Sequence, residues 1–153
     1  KEKNPSERPA LSAESQVNAL LSSLQPNQQA LLKAARKILQ ARFPGVNELV
    51  YDYGNSLVIA FAASERGSEA IVSLSADKNG VRLVFTQGRD LPDPDKILQG
   101  KARQTRFVFL EDSQTLNQQP IETLLAAAAK LAPSLPADRK SGTIIIKPST
   151  RKK

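Results

Sequence analysis

The run Asp77-Lys78-Asn79-Gly80-Val81-Arg82-Leu83-Val84-Phe85-Thr86 decides the fold. Val81, Leu83 and Phe85 alternate with Arg82, Val84 and Thr86, the two-residue period of a strand with one buried face. Asn-Gly just before it is the strongest short hairpin signal, because such turns need positive φ at their central residues. Working outward, residues 48–53, 57–63 and 69–75 are equally short and rich in branched and aromatic side chains. Gly54-Asn55 suits a second hairpin, so the centre reads as an antiparallel meander. A further strand is expected over 105–110, with Phe107 and Phe109 on one face.

Helices flank this centre. Ser12 is placed to cap a first helix reaching about Leu24, with Glu14 near its positive end. Pro26 or Asn27 opens a second helix that runs to Arg42 and stops at Pro44-Gly45. Its apolar stripe is Leu31, Leu32, Ala35, Ile38 and Leu39, which leaves Lys33, Arg36, Lys37 and Gln40 on the opposite side. Pro120 opens a last helix with Ile121, Leu124, Leu125, Ala128 and Leu131 as its stripe. Leu91-Pro92-Asp93-Pro94-Asp95 is too rigid for regular structure, and Ile97-Leu98 is expected to begin a short helical turn. Helices on either side of a meander predict an α+β domain, with helices covering one face of an antiparallel sheet of about five strands.

Composition narrows the chemistry. The 153 residues include no histidine and no cysteine. That removes the side chain that titrates near neutrality and the thiolate nucleophile, and with them Ser-His-Asp triads, Cys-His pairs, imidazole or thiolate zinc sites and disulfides. The net charge is +7, but it is unevenly placed. Residues 138–153 hold six basic side chains against one acid, and the stretch 11–137 is nearly neutral. The expected organisation is a disordered N-terminal tail over 1–10, one domain over 11–132, and a basic, Pro-rich tail over 133–153. No apolar run approaches the ~20 residues of a membrane span. No charged start followed by an apolar middle opens the chain, so a cytoplasmic protein without a membrane partner is expected.

Several clusters invite chemistry. Ser75-Ala76-Asp77-Lys78 spells S-x-x-K, but that arrangement works only when Ser and Lys lie one helical turn apart. Asp90, Asp93 and Asp95 lack the glycine and glutamate spacing of a calcium loop. No metal and no cofactor are expected. Lys101, Arg103 and Arg106 bring three cations to the start of a strand, where exposed amides and basic groups suit an anion. The alternative is a charged strand that blocks edge-to-edge association. Tyr51, Asp52, Tyr53 and Asn55 surround a tight turn and could line a polar pocket. In the tail, Arg139, Lys140, Lys147, Arg151, Lys152 and Lys153 could hold phosphate groups by charge alone. Thr143-Ile144-Ile145-Ile146 could add a strand to a sheet edge, in this chain or a partner.

Two of these stretches together resemble a known family. Glu48-Leu49-Val50-Tyr51-Asp52-Tyr53-Gly54-Asn55 is similar to the glutamate-to-tyrosine-glycine hairpin of the YdhG-like bacterial domain family, whose function is not known. Leu91-Pro92-Asp93-Pro94, followed by Gly100-Lys101, Arg103 and Arg106-Phe107-Val108, is similar to a later motif of that family. The resemblance implies a two-layer α+β fold with a curved antiparallel sheet, like that of secretion chaperones. Phe107 stands where family members often carry histidine. Some members resemble frataxin-type iron chaperones, which use acidic helices, whereas the second helix here carries cations. The expected function is a non-catalytic binding or adaptor domain that recognises a peptide or small anion. The alternatives are nucleic-acid association through the basic tail and iron delivery.

Overall fold

The computed structural model describes residues 12–133 and 142–147. Helix α1 (Ala13–Leu21) is capped by Ser12, whose Oγ accepts from the Ser15 amide at 3.1 Å. Helix α2 (Pro26–Arg42) starts at a proline, whose missing N–H is no loss in the first turn. The strands β1 (Asn47–Asp52), β2 (Ser56–Ala62), β3 (Ala70–Asp77) and β4 (Gly80–Phe85) form the expected meander. Gly80 has φ near 130°, a conformation that its side-chain-free backbone tolerates, and this lets Asp77 and Gly80 close the β3–β4 hairpin. Strand β5 (Arg106–Leu110) pairs with β4, and helix α3 (Gln119–Leu131) follows a 3₁₀ turn over Ser113–Asn117.

Two expectations about the architecture are corrected. The sheet has six strands, and it is mixed. Strand β6 (Ile144–Lys147) comes from the segment expected to be tail and pairs in parallel with β1, giving the order β5-β4-β3-β2-β1-β6. The isoleucines can do this because one strand of three β-branched residues serves both faces of the sheet. Ile144 and Ile146 join the main core, and Ile145 joins the opposite face. The sheet does not close, so β5 and β6 are its edges. Ile97 and Leu98 do not start a helix either. Their amides are taken by the Asp93 carboxylate at 2.9 and 3.0 Å, which fixes an irregular turn with Lys96 at positive φ.

The register makes the two faces explicit. On one face Ile146, Val50, Ile59, Leu74, Leu83 and Val108 form a row across all six strands. All belong to or pack against the main core, together with Val17 and Leu21 of α1, Leu32 and Leu39 of α2, and Ile121, Leu124 and Leu125 of α3. Fully burying each such side chain stabilises by about 1.5–3 kcal/mol. All three helices therefore lie on this face. The neighbouring row on the other face reads Lys147, Tyr51, Val58, Ser75, Arg82 and Phe109.

Candidate functional site

On the helix-free face, the β1 half and the β5 half differ. Over β1, β2, β6 and the start of β3 a small second core of Leu49, Ala60, Ala62 and Ala70 is joined by Tyr51 and Ile145. The segment 63–69 folds against it: Gly67 lies so close to the Tyr51 hydroxyl that a Cβ there would collide with it. Lys147 Nζ donates to the Glu65 carbonyl at 3.0 Å, and Ser64 Oγ donates to Glu69 at 2.5 Å. Tyr51 and Tyr53 stack with centroids 6.1 Å apart. Burial, and secondarily the neighbouring Tyr53, push the Tyr51 hydroxyl above its ordinary pKa, against a smaller lowering by the Gly67 backbone.

At the edge of this half lies the seat of β6. The Glu48 amide donates to the Thr143 carbonyl at 2.9 Å, and the Thr143 amide donates to Asn47 Oδ1 at 3.0 Å. The same Asn47 side chain donates from Nδ2 to the Ser64 carbonyl at 3.1 Å. It thus ties the incoming strand to the loop over the outer face. Gly142 fits because a Cβ in its place would collide with the Val46 carbonyl. A cavity of about 380 Å³ adjoins the start of the strand, lined by Gln40, Phe43, Glu48 and Thr143 among others. The seat is therefore specific: a glycine, then inward apolar side chains at alternate positions, then a cation.

Beneath the seat sits a buried charge network that the sequence reading did not find. Arg36 is 4% exposed and Glu48 5%. Arg36 Nε donates to Glu48 Oε1 at 2.8 Å, and its two terminal nitrogens hold both oxygens of Glu14 at 3.1 and 3.2 Å. Gln40 Nε2 donates to Glu48 Oε2 at 2.5 Å. The expectation that Arg36 belongs to the solvent face of α2 is thus corrected. Leu32, Ala35, Arg36 and Leu39 follow the i, i+3, i+4, i+7 spacing and are all buried. Arg36 stays inside because Glu48 shares the inward side of β1 with Val50. The Arg36 hydrogen bond holds the Glu14 carboxyl below its ordinary pKa, with burial opposing. Burial is the largest influence on Arg36, but hydrogen bonds and charges of the two carboxylates together outweigh it and raise its pKa.

The β5 half is more open. Phe107 and Phe109 meet edge to face with centroids 5.5 Å apart, and the Arg82 guanidinium lies 5.2 and 5.5 Å from their centroids. Asp77 holds Arg82 Nη2 at 2.7 Å. Phe109 is 38% exposed.

The residues expected at a site are distributed as follows. Tyr51 and Tyr53 sit on the helix-free side, while Asp52 and Asn55 line a cavity of about 470 Å³ with Leu24, Gln28 and Lys78. Asp52 Oδ1 accepts from the Gly54 amide at 2.9 Å, closing the turn. Lys101 and Arg103 are exposed, and Arg106 donates to the carbonyls of Ala102 and Thr105 at 2.5 and 2.9 Å. Strands β2, β3 and β4 separate this cluster from β1, so the two groups do not form one site. Lys147 is on β6, and Arg139, Lys140, Arg151, Lys152 and Lys153 lie outside the described residues. Ser75 and Asp77 are strand residues, so S-x-x-K is not on a helix. Among the described residues, no three carboxylates come together as a metal cage, and no helix is long and apolar enough to cross a membrane. Compared with family models, curated proteins and solved structures, the chain matches none of them.

Proposed function

We propose that this chain is a non-catalytic, cytoplasmic binding domain of the YdhG-like kind, and that it captures an extended peptide by adding it as a parallel strand to β1. One observation carries the reading: the β1 edge already holds such a strand, β6, in a defined parallel register. Strand addition draws affinity from main-chain hydrogen bonds and specificity from pockets for alternate side chains. The seat supplies both, through the Glu48 amide and Asn47 for the backbone and through two inward positions beside α1 for the side chains. The lack of histidine and cysteine agrees with recognition in place of turnover. The small-anion version of this reading has weaker support, because Arg106 is committed to carbonyls of its own loop.

The test uses the full chain carrying Ile144→Asp and Ile146→Asp, which unseats its own strand, with circular dichroism to verify folding. A labelled peptide of residues 142–147 should bind this variant saturably and bind the unaltered chain more weakly, because the resident strand competes. A peptide with aspartate at both inward positions should not bind. Equal binding of the two peptides, or none to the folded variant, refutes the reading.

A further inference from the structure

We infer that the β4–β5 half of the helix-free face is a stacking platform for the bases of a single-stranded nucleic acid. This surface lies at the opposite edge of the sheet from the β6 seat, so it stands or falls independently of the peptide reading.

The platform is built from β5 inward. Phe107 and Phe109 alternate along the edge strand, so both rings leave on the helix-free side. Glycines flank them: a Cβ at Gly80 would sit 3.7 Å from the Phe109 ring, and one at Gly100 would sit 3.4 Å from Phe107. No bulky neighbour rises beside either ring at those points. Next to the phenylalanines stand Val84 and Arg82 on β4, then Ser73 and Ser75 on β3. Aromatic rings at the edge therefore border a floor of small side chains.

The charge pattern selects an anionic chain. Arg82 lies against both rings with one nitrogen fixed by Asp77. Lys101 and Arg103, both exposed, follow directly on the glycine that borders Phe107. Asp77 is tied to Arg82, and Glu111 and Asp112 follow the end of the strand on the side of Gly80. A ligand that offers planar rings to Phe109 and phosphates to the exposed Lys101 and Arg103 satisfies both features. The strand must be single, because bases in a duplex are stacked on each other and cannot reach a flat protein face. The sequence after Pro133 contains no aromatic residue, whereas β5 carries two.

The absence of tryptophan provides a direct test. Phe109→Trp in the full chain creates a single fluorophore on the platform. Titration with oligothymidylate should quench its emission, whereas inorganic polyphosphate of equal charge should leave emission unchanged. In parallel, Phe109→Ala should weaken binding of a labelled oligothymidylate roughly five- to hundredfold, the loss expected for one stacked base, with little change in melting temperature. The inference is overturned by any of three results: no binding of the oligonucleotide; binding that leaves the tryptophan emission unaltered; or affinity retained in Phe109→Ala and lost when Arg151, Lys152 and Lys153 are all replaced by alanine. The tryptophan titration stands even if the alanine variant is poorly folded.

Discussion

Val50 and Tyr51, or Leu74 and Ser75, are chain neighbours that live in different environments. The inner member of each pair faces three helices in a close-packed core, and the outer member faces the side that carries no helix. Along the inner row every residue is a large aliphatic; along the outer row small, aromatic and cationic side chains replace them. On that outer row Arg82 lies over the Phe107 and Phe109 rings and is paired with Asp77. The contrast separates a continuous aliphatic core under the helices from a helix-free face where only the β1 side carries a second, smaller core.

The strongest way to break this contrast is to disturb the inner side where it is ionic. Glu48→Leu leaves Arg36 buried with Glu14 as its only carboxylate and should cost about 3–5 kcal/mol in urea unfolding, whereas the pair Arg36→Met with Glu48→Leu should recover most of it. No loss of stability in Glu48→Leu alone would show that the network is not structural. Leu74→Ala should cost about 2–5 kcal/mol, since it opens a cavity in a packed core. Its neighbour Ser75→Ala, on the outer side, should stay within about 0.5 kcal/mol in the same unfolding measurement. Gly142→Ala forces a methyl into the Val46 carbonyl and should cost about 1–3 kcal/mol. Its signature is local: faster hydrogen exchange at the Glu48 amide with the β3 and β4 amides unchanged.

The smallest expected effect is on pH. The Glu14 carboxyl is held below its usual value of 4.5 in the folded state by Arg36. Its contribution is therefore present above pH 4.5 and is lost as pH falls through the lower folded value. Glu14→Gln should flatten that acid limb of the stability profile. The side chain is 56% exposed, so the change should be slight.

Much of this architecture was legible in the residues. The alternation in 81–86, the hairpin at Asn79-Gly80, the cap at Ser12, the helix start at Pro26 and the stripe of α3 are local signals, and the elements they imply are present within a few residues, although Leu131, expected in that stripe, is exposed at the helix end. What stayed hidden is non-local. Thr143–Ile146 was legible as a segment able to join a sheet edge, but its pairing in parallel with β1 joins residues 96 apart, and no short window encodes a partner that distant. Arg36 was assigned to solvent because a charge inside an apolar stripe breaks the pattern. Only its meeting with Glu48, on a different element, makes burial tolerable. The same holds for the binding surfaces: Tyr51, Lys101 and Arg103 were visible as residue types, but which share a face is decided by strand order. Arg82 was read correctly as outward, with nothing local to reveal the two phenylalanines beside it.

The distance along the chain between β1 and its parallel neighbour has a consequence for biosynthesis. A ribosome adds about 5–20 residues per second, so about 5–20 s separate the appearance of Asn47 from that of Thr143. Within that interval β2 to β5 and α3 are made before the strand that pairs with the outer side of β1. Strand β6 is thus the last part of the sheet to be made, after all of the strands that it completes.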